Sequence, residues 1–334
     1  MTGPADLGPP AVGVRWHPWQ RDRFLPGYRS RDLDLLGTSR HPDEGIGQLT
    51  ATLVRRNRPR HARAVLYLHG WNDYFFQSHL ADFWDELGYD FYALDLRRYG
   101  RSLHPGELPG YVDNLADYDL EIDAALERLR RHHATVVVCA HSTGGLTAAL
   151  WAHRHPGQIA GLVLNSPWID LQGSALLRAV ASPIIRGLAT RAATWPIPVR
   201  DNGFYTRALH TNYDGAWDWD LTVKTTPTQP IRAGWLRAVM DGHAQVSQGL
   251  QIGCPVLALI SARSSFRRRW SDEPSRCDVV LDVNRLAAQA PNLGRHVTLV
   301  RIEGAVHDIS LSAAQVRADF FDQIRRWEGA YLTC

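Results

Sequence analysis

Apolar residues along the chain fall into two alternating rhythms. One is a set of short blocks of strand length: Ala64–Leu68, Asp90–Leu96, Thr135–Ala140, Ile159–Leu164, Pro255–Ile260 and His296–Ile302. Continuous apolar runs such as Ala64-Val65-Leu66-Tyr67-Leu68 suit central strands covered on both faces. Two earlier segments, Tyr28–Leu36 and Gln48–Arg55, read as strands joined by a polar, glycine-containing turn. The other rhythm is helical. Leu80, Phe83, Trp84 and Leu87 share one helix face, closed by Gly88. A longer helix is predicted over 114–132, and Leu146, Ala148, Ala149, Leu150 and Ala152 mark another. An amphipathic helix follows Asp282, and a last one over 313–331 buries Val316, Phe320, Phe321, Ile324 and Trp327. Strand and helix in regular alternation imply a parallel sheet with right-handed crossovers.

The alternation stops between about Leu171 and Gly253, where no convincing central strand is present. Leu176, Leu177, Val180, Ile184, Ile185 and Leu188 repeat at helical spacing, a tryptophan-rich stretch (Trp195, Trp217, Trp219) follows, and a helix is predicted over 231–242. This reads as a helical insertion lying over the sheet. The expected organisation is a flexible N-terminal arm over 1–27, an α/β core over 28–170 and 254–334, and a mostly helical cap over 171–253.

Composition narrows this picture only a little. At 334 residues and 45% hydrophobic content the chain has material for a sizeable core, and a net charge of +3 gives no reason to expect nucleic acid. Positive charge is almost wholly arginine, with Lys224 the single lysine, a skew attributed to coding bias. Cys139, Cys254, Cys277 and Cys334 are scattered without metal-ligand spacing, so free thiols are expected and a zinc site is not. With no apolar signal core and no run long enough to span a bilayer, a cytoplasmic location is expected.

The chemistry gathers around Thr135-Val136-Val137-Val138-Cys139-Ala140-His141-Ser142-Thr143-Gly144-Gly145. A strand running into a serine flanked by small residues, then directly into a helix, predicts a sharp turn with Ser142 at its apex. A serine hydroxyl needs a base to take its proton, and that base needs a carboxylate to orient it. His307 lies just after the last strand, at the sheet edge that also carries Ser142. The acid falls after the preceding strand, among Asp272, Asp278 and Asp282. Asp282 stands before a helix as an N-cap, and Asp272 lies in an arginine-rich loop. Asp278 is followed by Val279-Val280-Leu281, which would hold its backbone against the apolar sheet edge; it is preferred, with Asp282 second. Asp308 reads as structural. A developing oxyanion needs N–H donors, for which the amides of Thr143 and Trp71 are the candidates. His69 is read as a buttress of the Trp71 loop. Candidate substrate contacts are His69, His141, Trp168, Leu176 and Ile184, although the apolar cap residues also suit a core of the cap itself. Arg267-Arg268-Arg269 reads as a solvated loop, with attraction of an anionic head group as the alternative.

Taken together, Leu68-His69-Gly70-Trp71, Asp95-Leu96-Arg97-Arg98-Tyr99-Gly100-Arg101-Ser102, Ala140-His141-Ser142-Thr143-Gly144-Gly145 and Val306-His307-Asp308 resemble the α/β-hydrolase fold. The nearest branch is the monoacylglycerol lipase and lysophospholipase-like group, also labelled serine aminopeptidase S33-like. The resemblance spans about Gly45 to Tyr331. It implies a mostly parallel central sheet flanked by helices, with a helical cap inserted before the last two strands. It also implies Ser142 as nucleophile, His307 as base and Asp278 as acid, with Trp71 and Thr143 supplying oxyanion amides. The implied activity is hydrolysis of lipid-like or small carboxylic esters through an acyl-enzyme, without cofactor or metal. Thioesterases, carbon–carbon hydrolases and peptidases use the same triad, and a ligand-binding protein on a retained hydrolase fold is the reading from another class. Two departures stand out: Ala140 replaces the usual first glycine, and a long arginine-rich loop precedes the acid.

Overall fold

The computed structural model describes residues 12–333 apart from 57, 172–174, 199–200 and 268, with the backbone alone for 175–181. Its centre is a ten-stranded sheet. The strands are β1 (Gly13–Trp16), β2 (Gln20–Arg21), β3 (Arg29–Leu36), β4 (Thr50–Arg55), β5 (Arg63–Leu68), β6 (Tyr89–Asp95), β7 (Thr135–His141), β8 (Gly161–Asn165), β9 (Val256–Ser261) and β10 (Val297–Ile302). They lie in the order β1-β3-β4-β6-β5-β7-β8-β9-β10, with β2 beside β3. From β6 to β10 every neighbouring pair is parallel, and the pairings of β1 to β4 are antiparallel.

Among the described residues, five helices cover the core: α1 (Ser78–Glu86), α2 (Asp119–Arg130), α3 (Thr143–Arg154), α7 (Val283–Gln289) and α8 (Ala314–Tyr331). Three more, α4 (Ala175–Arg191), α5 (Phe204–Leu209) and α6 (Ala233–Gln248), lie between β8 and β9. Side chains alternate across each strand, so the apolar runs feed two cores at once. Leu66, Val138 and Leu164 join Ile122, Leu126, Leu146, Trp151 and Trp235 on one face. Val65, Tyr67, Val137, Cys139, Val163 and Leu257 meet Leu80, Phe83, Trp84, Phe320, Ile324 and Trp327 on the other. Double coverage is why these strands are continuously apolar. A third cluster joins insertion to core: Ala208, Leu209 and Trp219 pack on Tyr74, Phe76, Val306 and Leu311.

The N-terminal expectation needs correction. Residues 13–16 and 20–21 of the expected arm form strands against β3. Arg31 packs over Trp16 at 4.8 Å and Arg55 over Trp19 at 4.1 Å. Asp22 is fastened to Arg101 by contacts of 2.6 and 2.8 Å. Two strands this short show little alternation of their own, and the surrounding prolines and glycines hide what there is. The helix expected over 231–242 starts two residues later and runs on to Gln248. Cys139, Cys254 and Cys277 are free thiols, and Cys334 lies outside the described residues. Among the described residues no helix is long and apolar enough to cross a membrane.

Candidate active site

Parallel strands deliver their carboxyl ends to one rim of the sheet, and the loops leaving β5, β7, β8, β9 and β10 meet there. Ser142 is the first residue after β7 and the N-cap of α3, with φ 54° and ψ −118°. For a residue with a Cβ this is a strained region, costing about 1–3 kcal/mol, and the surroundings must enforce it. They do so through the backbone. Ser142 donates its N–H to the Asn165 carbonyl at 3.1 Å, and its own carbonyl accepts from Gly145, Leu146 and Trp168 at 2.9, 3.2 and 2.9 Å. The turn also needs close approach. A Cβ on Gly144 would lie 2.2 Å from the His69 carbonyl oxygen, and one on Gly70 would lie 3.0 Å from Ser142 Cβ. Ala140, where a glycine is usual, fits because it sits fully buried within β7, between Leu68 and Leu164.

His307 follows β10 in a loop braced on its upstream side, where the Ser261 hydroxyl donates to the Ala305 carbonyl at 2.7 Å and the Val306 N–H donates to Ser312 Oγ at 3.1 Å. Its Nε2 stands 3.0 Å from Ser142 Oγ and its Nδ1 2.8 Å from Asp278 Oδ2. All three side chains are buried, Asp278 completely. Asp278 sits where the chain returns against 263–265: its N–H donates to the Arg263 carbonyl, and its carbonyl accepts from Ser265. Its other oxygen accepts the N–H groups of Val280 and Leu281, both at 2.7 Å. One carboxylate edge is thereby fixed by backbone and the other left to the imidazole. Asp282 caps α7 instead, accepting from the Asn284 N–H at 3.1 Å. Asp272 lies at the start of a short turn of 3₁₀-helix, away from this constellation.

The two amide candidates flank Ser142. Trp71 follows Gly70, and Thr143 opens α3, whose positive end faces the same point. Among the described residues no acceptor engages either N–H. His69 is already occupied on both nitrogens: Nδ1 donates to the Gly70 carbonyl at 2.8 Å, and Nε2 accepts the Leu96 N–H at 3.1 Å. That is a brace for the loop. His141 donates from Nδ1 to the Asn165 carbonyl at 3.1 Å, and its ring lies 4.9 Å from that of His307. Burial pushes its pKa down, with the charge of Asp308 working the other way.

Asp308 is a feature the sequence undersold. It is fully buried, yet accepts from Asn165 Nδ2 at 2.7 Å, from the Ser310 hydroxyl at 2.7 Å and from Gln77 Nε2 at 3.1 Å. Burial opposes its charge, but His141, Ser310, Lys224 and Gln77 outweigh that and hold its carboxyl at about 2. It ties the His307 loop to β8 and to the start of α1. The signal available was Asp308-Ile309-Ser310, an N-cap pattern ahead of a short 3₁₀-helix.

The remaining candidates scatter. Trp168 is partly buried against Trp235 and His243, with ring centroids 6.0 and 5.4 Å away. Ile184 is 66% exposed, so the structure sets it on the cap surface rather than in a pocket lining. The Leu176 side chain lies outside the described residues. Arg267 is exposed and pairs with Glu273 at 2.7 Å. A narrow cavity opens beside the amide loop, lined mainly by Leu96, Tyr99, Leu115, Tyr118, Leu146 and Trp235. Sequence reasoning missed Tyr99, Tyr118 and Trp235 because they come from three separate elements.

Comparison with known proteins gives a consistent picture. The chain is 29% identical over 116 residues to phospholipase YtpA of Bacillus subtilis, a stretch covering 34% of this chain and 43% of that protein. It is also 29% identical over 138 residues to lysophospholipase L2 of Escherichia coli K12, covering 38% and 39% of the two chains. The matches thus span less than half the length of these curated relatives. Among solved structures, a monoacylglycerol lipase of Paleococcus ferrophilus superposes with a TM-score of 0.59 at 18% identity, over 80% of this chain and 94% of that one. A soluble variant of the Saccharomyces cerevisiae monoglyceride lipase gives 0.58 at 16% identity, over 96% and 97%. At such identities the likeness establishes the α/β-hydrolase fold. Residues 59–311, well over half the chain, match the family described as serine aminopeptidase, S33, and the protein belongs to that hydrolase family.

Proposed function

We propose that this protein is a cofactor-independent serine esterase acting on lipid-like or small carboxylic esters. The observation that carries the reading is the unbroken chain Ser142 Oγ, His307 Nε2, His307 Nδ1, Asp278 Oδ2, with contacts of 3.0 and 2.8 Å beneath a strained turn. In this reading His307 takes the Ser142 proton as Oγ attacks the ester carbonyl carbon, and Asp278 holds the imidazole and its developing charge. The carbonyl oxygen becomes an oxyanion facing the N–H groups of Trp71 and Thr143. His307 then gives its proton to the departing alcohol, leaving an acyl group on Ser142. Water, deprotonated by the same imidazole, attacks that acyl carbon; collapse releases the carboxylic acid and returns the proton to Ser142. Esters are favoured over peptides because two of the curated relatives are named as a phospholipase and a lysophospholipase, and two of the solved neighbours as a monoacylglycerol and a monoglyceride lipase.

The test is a panel of esters varied in acyl length and head group, with Ser142→Ala as control and intact-mass analysis after fluorophosphonate treatment. One phosphonyl adduct on the wild type, none on Ser142→Ala, and turnover of medium-chain esters above acetyl esters are expected. An unlabelled wild-type protein defeats the hydrolase reading, and a preference for acetyl esters defeats the lipid one.

A further inference from the structure

The loop that carries the Trp71 amide is held on its two sides by different parts of the molecule. Upstream, His69 is bolted to Leu96 and to the Gly70 carbonyl. The Gly70 carbonyl and the Trp71 N–H share one planar peptide, so His69 fixes that amide from its upstream side. The downstream side of the loop is held by the cap. Four successive residues each reach the stretch 220–228. The Trp71 Nε1–H donates to Thr228 Oγ1 at 3.1 Å. Asn72, at φ 51°, donates from Nδ2 to the Thr225 carbonyl at 2.8 Å and accepts from the Thr225 N–H and hydroxyl at 3.2 and 3.1 Å. Asp73 Oδ1 lies 2.8 Å from Lys224 Nζ, and the Tyr74 hydroxyl accepts from the Asp220 N–H at 2.9 Å.

The single lysine of the chain sits at the middle of this seam. Its side chain is 8% exposed and that of Asp73 1%. The rings of Phe76, Tyr205 and Trp219 surround the ammonium, with centroids 5.3 to 5.5 Å away. An ammonium so enclosed is stabilised by ring faces and by one carboxylate oxygen. The second Asp73 oxygen is buried with no hydrogen-bond partner among the described residues, so removing Lys224 would leave a buried, unpaired carboxylate two residues from Trp71. Such a carboxylate would turn toward water and carry the loop with it.

We propose that Lys224, with Thr225, is a positioning residue for the oxyanion loop, holding its downstream side while His69 holds the upstream one, so that the aim of the Trp71 amide depends on both. The inference rests on the reading of Trp71 as an oxyanion donor. Displacing the cap then weakens oxyanion stabilisation.

The experiment uses the full chain with p-nitrophenyl butyrate and a trifluoromethyl ketone, whose adduct on Ser142 reproduces the tetrahedral oxyanion. Lys224→Met, Lys224→Arg and Asn72→Gly are compared with wild type, with Ser142→Ala as control and thermal melting alongside. Deleting an oxyanion donor outright costs ~10²–10³ in kcat, and mis-aiming one should cost about 10- to 100-fold. Lys224→Met and Asn72→Gly should lose that much in kcat with KM little changed, and ketone affinity should fall by a similar factor. Lys224→Arg, which keeps a charge for Asp73, should recover part of both. Should Lys224→Met fail to fold, Asn72→Gly, whose glycine tolerates the positive φ, decides alone. Wild-type kcat and ketone affinity in the folded variants, with Ser142→Ala inactive, overturns this inference and leaves the esterase reading standing. Full turnover by Ser142→Ala overturns both.

Discussion

Ser142 shows how one residue's conformation is imposed by its neighbours. Its positive φ is held by four backbone hydrogen bonds and by two glycines whose Cβ positions are already filled by other atoms. The position of the serine was legible because strand, small residue and helix follow without a break. His307 was legible because the last strand has one exit. Which aspartate faces His307 was harder to read, since three share the loop after β9 and spacing alone does not separate them. What separates them is local: Asp278 spends one oxygen on two backbone N–H groups and offers the other to His307, whereas Asp282 spends its carboxylate on α7. Asp278→Asn should therefore lower kcat by about 10⁴ through the wrong imidazole tautomer, with melting little changed. Asp282→Ala should cost about 1 kcal/mol of stability and leave kcat near wild type. Steady-state kinetics and chemical denaturation on the two variants check this, and the opposite pattern would transfer the role to Asp282.

Helix α6 shows what element-level reading captured and what it missed. The helical spacing was visible, but its extension to Gln248 brings His243 under Trp168, where Nε2 donates to the Trp168 carbonyl at 2.8 Å. Trp168 in turn donates its N–H to the Ser142 carbonyl, so α6 steadies the turn through one intermediate. Burial lowers the His243 pKa to about 4, against the Trp168 hydrogen bond and Asp170, which raise it. The unfolded chain, with an ordinary histidine near 6.5, takes up this proton first. Stability from the neutral ring is thus complete above about 6.5 and drains away as pH falls toward 4, by roughly 3 kcal/mol in all. His243→Gln keeps a donor for Trp168 and should flatten that slope. Urea unfolding between pH 7 and pH 4 checks it; parallel curves for the two proteins would show that His243 does not contribute.

At the scale of the whole molecule, alternating strands and helices announced a parallel sheet, and their interruption between β8 and β9 announced an insertion. The N-terminal strands were hidden because their reason for existing is tertiary. Arg101 is buried, and two acids from distant segments share it: Asp95, at 2.8 Å, and Asp22. Burial works against the Asp22 charge, but Arg101 and the N–H groups of Leu25 and Phe24 more than offset it, leaving the carboxyl below its usual range. Residues 20–28 therefore belong to the folded body. Asp22→Ala, which strips a buried guanidinium of one partner, should cost about 3–5 kcal/mol. Denaturation of this variant showing less than about 1 kcal/mol would restore the loose-arm picture. The cap meets the core both at the Tyr74–Trp219 cluster and along the 71–228 seam, so its placement bears on the loop that carries Trp71. The central claim, that the Ser142 oxygen attacks the substrate carbonyl with His307 and Asp278 behind it, is tested most directly by acid-quenching wild-type, Ser142→Ala and Asp278→Asn proteins during turnover of a p-nitrophenyl ester and mapping the acyl group by peptide mass. The account predicts the acyl mass on the Ser142 peptide of the wild type, much slower accumulation in Asp278→Asn and none in Ser142→Ala; an acyl group on another residue, or undiminished turnover by Ser142→Ala, would contradict it.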